Sequence, residues 1–168
     1  YAVAGTDVEG HPILAGGQQM NREGGMGPNC FVENVFEELD APGEWFLDHD
    51  SGTLYLYPSP GVSLASSTVE AAILKELIVS RGSEQSSVRH LHFRGLEFTH
   101  TASTVFEPYD MLLRGDWSIA RLGAIRLAGA EDCSIERCTF AGIGGNGVSL
   151  SGYNRRVRVA CCRFADVG

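Results

Sequence analysis

Cys133-Ser-Ile-Glu-Arg-Cys-Thr-Phe140 alternates apolar and polar residues, skips one position, and alternates again. The same template recurs as Leu91-His-Phe-Arg-Gly-Leu-Glu-Phe98 and as Val157-Arg-Val-Ala-Cys-Cys-Arg-Phe164. The last two copies end at Phe140 and Phe164, a spacing of 164 − 140 = 24 residues. The match extends beyond the template. Ile125-x-Leu127-x-Gly129 precedes one copy and Val148-x-Leu150-x-Gly152 the next, and Ile143-Gly144 follows Phe140 as Val167-Gly168 follows Phe164. A strand-like, glycine-rich repeat of this length predicts a β-solenoid, in which each repeat buries its apolar positions against its neighbours.

The remaining composition agrees with an all-β chain. With 168 residues, 43% of them hydrophobic, the chain is long enough for one folded core. Its 21 glycines suit frequent turns. The net charge of −8 disfavours nucleic acid or an anionic membrane as a partner. No apolar run reaches membrane-spanning length, and no signal peptide is visible. Tyr1 is not a start residue and Gly168 falls in mid-repeat, so the expectation is a stretch of a longer protein.

Residues 1–60 are read as an N-terminal segment packed on the solenoid, irregular over 1–30. Phe31–Asp40 is expected to begin extended and end as a short helix stopped by Pro42-Gly43. Glu44–Leu47 and Thr53–Tyr57 flank Asp48-His-Asp-Ser-Gly52 and predict a β-hairpin. Residues 61–168 are read as the first coils. Val69–Leu77 has ambiguous spacing, and strand is preferred because Leu77-x-Val79 before Gly82 resembles Ile125-x-Leu127 before Gly129. Phe98 to Phe140 is 42 residues, 18 more than one coil, so residues 101–122 are an insertion at a corner. Such insertions cluster on one face, often the binding face.

Cys138 and Cys162 occupy equivalent inward positions and read as a ladder of buried thiols. A disulfide between them would be strained, because in-register strands stand ~4.8 Å apart and a disulfide wants Cβ atoms nearer ~3.8 Å. No metal site is expected. Cys161-Cys162 lacks ligand spacing, and His90-x-His92, expected outward on one face, lacks a third ligand.

Phe31-Val-Glu-Asn-Val-Phe-Glu-Glu-Leu-Asp-Ala-Pro-Gly-Glu-Trp-Phe-Leu-Asp48, continuing through Ser51-Gly-Thr-Leu-Tyr-Leu-Tyr-Pro58, resembles a block in right-handed parallel β-helix proteins of the pectate-lyase-like superfamily. Within that superfamily it looks like the β-helical glycoside hydrolases that include α-L-fucosidases and xylanases. Gln19-Met-Asn-Arg22, Val69-Glu-Ala71, Gly95-Leu-Glu-Phe-Thr-His-Thr101 and Glu136-Arg-Cys-Thr-Phe140 fit the same pattern. The resemblance implies an all-β right-handed parallel β-helix, a carbohydrate substrate, no cofactor, and an extracellular or periplasmic location. Its catalytic carboxylates sit in later coils, on an Asp beside glycines and on a Tyr-Leu-Asp-type strand. Neither motif occurs in this sequence, so no catalytic residue is carried over.

Glycoside hydrolysis needs two carboxyl groups ~5 Å apart for retention or ~6.5–9.5 Å for inversion. Acids one coil apart in a solenoid would stand at the strand spacing. The alignment instead sets Asp166 with Gly142, Glu136 with Ala160, and Glu97 with Thr139 and Arg163. Asp166 is read as a turn residue. Glu131 near Arg155 and Asp132 near Arg156 read as an exposed charge ladder of small energetic weight.

The candidate sugar-binding residues are His100, Glu107, Asp110 and Trp117, all at or beside the insertion. Trp117 is a candidate stacking platform, whereas Trp45, Tyr55 and Tyr57 are accounted for by hairpin packing. Three readings compete. The first is a glycoside hydrolase acting on plant or microbial polysaccharide. The second is a calcium-dependent polysaccharide lyase, for which Arg155, Arg156, Arg158 and Arg163 crowd the last coil without an acid cluster. The third is a non-catalytic carbohydrate-binding or adhesive solenoid. An open coil end exposes strand edges and core, so self-association through that end is expected.

Overall fold

The computed structural model describes residues 2–15, 32–107, 109–111 and 118–168. The chain divides into two compact units, Tyr1–Gly24 with Ala71–Gly168, and Gly25–Glu70. It is all-β. Among the described residues the only helical elements are single 3₁₀ turns at Phe36–Glu38 and Leu64–Ser66.

The first unit opens with a hairpin, β1 (Ala2–Thr6) antiparallel to β2 (Pro12–Ala15). This corrects the irregular reading of the N-terminus. Its strands are short and rich in small residues, and the signal lay in the turn. Asp7 Oδ1 accepts the amides of Glu9 and His11, each at 2.9 Å, which closes the loop. Gln19–Arg22 and Cys30 lie outside the described residues.

In the second unit β3 (Trp45–Asp48) pairs antiparallel with β4 (Thr53–Leu56), where the hairpin is expected. Asp48 organises the turn by accepting the Ser51 hydroxyl at 2.6 Å and the Asp50 amide at 3.0 Å. The expected helix at residues 31–40 shrinks to one 3₁₀ turn. Asn34 leaves helical geometry at φ 58° to clasp the Leu47 backbone, and Phe36 is held 5.2 Å from the rings of both Phe46 and Tyr55.

The rest of the first unit is built in three passes. The first contributes β5 (Ile78–Arg81), β6 (Val88–Arg89), β7 (His92–Arg94) and β8 (Glu97–Thr101). A short antiparallel pair, β9 (Asp110–Met111) with β10 (Ser118–Ile119), follows in the 101–122 stretch. The second pass contributes β11 (Ile125–Glu131), β12 (Ser134–Glu136) and β13 (Thr139–Ile143). The third contributes β14 (Val148–Arg155), β15 (Arg158–Ala160) and β16 (Arg163–Val167). One strand from each pass enters each of three parallel sheets, β5-β11-β14, β7-β12-β15 and β8-β13-β16, with the second pass always central. β6 also pairs with β11, so the first sheet is joined by both halves of a strand interrupted at residues 82–87.

Registers in the second and third sheets follow the repeat. Ile135 pairs with Phe93 and Val159, and Phe140 with Phe98 and Phe164. The three phenylalanine rings stack at 5.0 and 4.8 Å. Ile125, Leu127, Ile135, Cys138 and Phe140 are fully buried because each is covered from both sides. Cys133, Cys138, Cys161 and Cys162 are free thiols, and the Cys138 and Cys162 sulfurs lie 3.7 and 3.5 Å from the carbonyl oxygens of Phe93 and Ile135 in the preceding pass.

The first sheet departs from expectation at two points. Residues 69–77 are neither helix nor strand, and Ile125 pairs with Ile78 rather than Leu77. That one-residue slip stacks Gly82 on Gly129. A methyl at Gly129 would lie 2.0 Å from the Gly82 carbonyl carbon, so close backbone approach sets the register here, not the apolar pattern. The second departure is a bulge. Ile125 pairs with Val148, an offset of 148 − 125 = 23, while Ala130 pairs with Asn154, an offset of 154 − 130 = 24. The third pass has one extra residue opposite Gly129, and the bulge carries Tyr153.

Corners recur at left-handed residues. His90, Asp132 and Arg156 (φ 59°, 51°, 53°) turn the chain from the first sheet to the second. Gly95, Arg137 and Cys161 (φ 67°, 53°, 56°) turn it from the second to the third. Each non-glycine corner costs ~1 kcal/mol intrinsically. The cost is offset by amides that bond to the next pass, as Asp132 N does to Arg155 O at 3.1 Å. Asp166 (φ 50°), read as a turn residue, lies inside β16 at a left-handed position matching Gly142 and His100. His90 sits on a corner and only His92 on a strand, so the two imidazoles do not share a strand face.

Candidate functional site

Alternation along β7, β12 and β15 puts Phe93, Ile135 and Val159 inward, which leaves their neighbours on the outer face. His92, Ser134 and Arg158 form one outer column, and Arg94, Glu136 and Ala160 the other. All of these but Ala160, with the corner residues Asp132 and Arg156, line a shallow open groove. His92 Nδ1 stands 3.0 Å from Ser134 Oγ. Arg158 lies 3.4 Å from Glu136. Arg156 makes a bidentate pair with Asp132 at 2.5 and 2.7 Å. The hydrogen bond to Arg156 holds the Asp132 carboxyl below its ordinary range, and the same bond raises the guanidinium.

The groove can bind polar and charged groups through outward-facing donors. A hydroxyl held by an imidazole resembles the start of a nucleophilic dyad. Asp132 and Glu136, however, are turned to arginines, and no carboxylate orients the His92 ring among the described residues.

Behind the corner lies a more buried cluster. Glu131 is only 7% exposed. It accepts the Tyr153 hydroxyl at 2.6 Å and is flanked by Arg89 at 3.5 Å and Arg156 at 3.3 Å. The Tyr153 hydrogen bond is the largest cause lowering the Glu131 pKa, and its counterpart raises that of the phenol. This corrects the Glu131–Arg155 half of the exposed-ladder expectation, whereas the Asp132–Arg156 half is found as expected. Arg155 is the register partner of Glu131, but the carboxylate is buried and bonded to Tyr153 and two other arginines.

The residues expected to bind sugar are placed as follows. His100 sits at a left-handed position in β8 (φ 58°), its Nδ1 2.9 Å from Thr99 Oγ1. Glu107 pairs with Lys75 at 2.5 Å, and Asp110 pairs with Arg121. The two acids are thus engaged by different cations. Trp117 lies outside the described residues. Sequence reasoning missed the His92–Ser134 contact and the Tyr153–Glu131 bond. The first was signalled by the 42-residue spacing from Phe98 to Phe140, which also sets His92 beside Ser134, and the second by the change of offset from 23 to 24.

One further group of ligand-type side chains exists among the described residues. Asp7, Glu9 and His11, all exposed at the β1–β2 turn, bring one atom each within 4.8 Å of one another. Asp7 Oδ1 is already used by two backbone amides, and its carboxyl is held below the ordinary range chiefly by the His11 amide.

Comparison with known proteins returns no matching family model, no matching curated protein and no matching solved structure.

Proposed function

We propose that the three stacked passes are part of a right-handed parallel β-helix, and that the chain belongs to a carbohydrate-active β-helical glycoside hydrolase. The observation that carries the first half is the repeated register. Three successive passes contribute one strand each to the same three parallel sheets, with Phe98, Phe140 and Phe164 in one column. The second half rests on the likeness of Phe31–Asp48 and Ser51–Pro58 to that enzyme group.

In this reading the passes form the scaffold, and sugar contacts come from the groove at His92 and Ser134 and from His100, Glu107, Asp110 and Trp117 beside the insertion. The ligand is a plant or microbial polysaccharide met outside the cytoplasm. A second reading, carbohydrate binding without turnover, is favoured by one observation. Glu107, Asp110, Asp132 and Glu136 are each turned to a cation, which engages the carboxylates rather than leaving them facing an open site.

The test is incubation with a panel of neutral and acidic polysaccharides, following reducing ends, unsaturated products and gel retardation. Reducing ends without unsaturated products support the hydrolase. Unsaturated products that vanish with a calcium chelator mean a lyase. Retardation without products supports the binding reading, and no effect on any polysaccharide overturns the carbohydrate assignment.

A further inference from the structure

The unit Gly25–Glu70 carries an open groove of its own. Val32, Val35, Leu39 and Trp45 line it, and Glu33, Glu38 and Glu44 stand among them. Trp45 is 59% exposed and lies outside the ring cluster of Phe36, Phe46 and Tyr55. Packing within the hairpin therefore does not account for its indole, contrary to expectation.

The chain around the groove is fixed by its own hydrogen bonds. Asn34 is tied to β3 by accepting the Leu47 amide at 2.8 Å and donating to the Leu47 carbonyl at 3.1 Å. Gly43 N donates to Tyr57 O at 2.7 Å, and Tyr57 N to Glu44 O at 2.9 Å. Glu44 Oε2 accepts the amides of Asp40 and Ala41 at 3.0 and 2.8 Å, so that carboxylate closes the loop. Among the described residues the Glu33 and Glu38 carboxylates are held by no hydrogen bond or ion pair.

Charge identifies what fits there. Gly25–Glu70 holds 8 of the 21 acids and none of the 13 Lys and Arg residues. The other 21 − 8 = 13 acids balance the 13 bases, so the whole net charge of −8 belongs to this unit. No cation of its own can neutralise Glu33 and Glu38.

We propose that the groove is a docking site for a basic segment of a partner protein, in which Lys or Arg alternates with apolar residues. The apolar walls take apolar side chains and the aliphatic stems of the cations. The Trp45 indole takes one cation on its face, and Glu33 and Glu38 take charge-assisted hydrogen bonds from others. Walls held in place beforehand reduce the ordering cost of binding. A cationic glycan would meet the carboxylates but has no aliphatic stem to lay on Val32, Val35 and Leu39. A second copy of this unit would bring acid against acid. The inference stands on the groove and the charge of one unit, and is independent of the sugar assignment.

The probe is a short labelled peptide alternating arginine with leucine, titrated into the full chain. Binding should raise its anisotropy, protect the amides of residues 32–45 from hydrogen exchange and weaken with added salt. The double variant E33Q/E38Q keeps side-chain shape and should weaken binding roughly tenfold. The control E37Q/D50N removes the same charge from the same unit outside the groove, and should change binding less than about twofold. Trp45→Ala should weaken binding about fivefold, and Trp45→Phe should restore part of the loss. Three results would each overturn the proposal: no protection of residues 32–45, equal losses in E33Q/E38Q and E37Q/D50N, or binding of a glucosamine oligomer in preference to the peptide. The second would mean a diffuse field without a site, and the third a glycan ligand.

Discussion

The Tyr153 hydroxyl donates a 2.6 Å hydrogen bond to Glu131 Oε1 across two neighbouring passes. The bond exists because one extra residue bulges from β14 opposite Gly129 and re-aims the phenol at a carboxylate that is otherwise out of water. Arg89 and Arg156 complete the shell, so the first, second and third passes are joined at one corner by a single buried acid.

Replacing Tyr153 with Phe keeps the ring and removes the donor. The expected result is a lower Tm at neutral pH, because Glu131 stays buried with only its arginines. Acid unfolding should begin at a higher pH, since the largest cause holding the Glu131 pKa down is gone. Circular-dichroism melts and an acid titration of both proteins check this. Coincident curves would mean that the bond carries no stability.

The intact protein should be acid-sensitive in a defined window. Glu131 and Asp132 titrate below their ordinary values of 4.5 and 3.8 in the folded state. The unfolded chain therefore binds more protons, and stability rises with pH across the window. Their contribution is complete above 4.5 and is lost as pH falls through the lowered values. Tyr153 has the opposite sense. Its raised pKa contributes stability that is complete below its ordinary 10.0 and is lost as pH rises beyond it. Urea midpoints measured across pH should show both flanks, and Asp132→Asn should flatten the acid one.

Phe140 and Phe164 belong to one ring stack but differ in cover, at 0% and 48% exposed. Phe140→Ala should cost about 3–5 kcal/mol, the range for a buried aromatic that leaves a cavity. Phe164→Ala should cost less, about 1–2 kcal/mol, because one face of its ring is already in solvent. Chemical denaturation of the two variants tests the difference, and equal costs would mean that the third pass is covered in solution.

Gly129 and Gly152 share φ +66° but not their surroundings. Gly152→Ala meets no atom within 4 Å and should cost only the left-handed penalty, ~1 kcal/mol. Gly129→Ala adds a clash with the Gly82 backbone and should unpair β5 from β11. Hydrogen exchange over residues 78–82 reads this directly, with loss of protection expected in Gly129→Ala and not in Gly152→Ala.

The strands around Cys133–Phe140 were legible because period-two alternation, repeated at a fixed spacing, has one inexpensive solution in which like positions stack. The β3–β4 hairpin was legible from its Asp-Ser-Gly turn. The β1–β2 hairpin was not, because Ala and Gly carry little strand signal and the turn is closed by the Asp7 carboxylate. The first-sheet register was misread by one residue. Leu77 and Ile78 are interchangeable as apolar symbols, and only the contact of Gly82 with Gly129 distinguishes them. Of the candidate site, His100, Glu107 and Asp110 were chosen for position, and the cations that engage Glu107 and Asp110 come from residues 32 and 11 positions away.

By itself, the sequence determined the repeat, the all-β class and the columns in which Phe98, Phe140 and Phe164 stack, because these follow from side-chain periodicity along the chain. Tertiary structure decided which charges meet. Glu131 reached Tyr153 and two arginines rather than Arg155 because a bulge rotated one side chain. Such pairings depend on where side chains point after the passes are stacked, and linear spacing does not encode that direction.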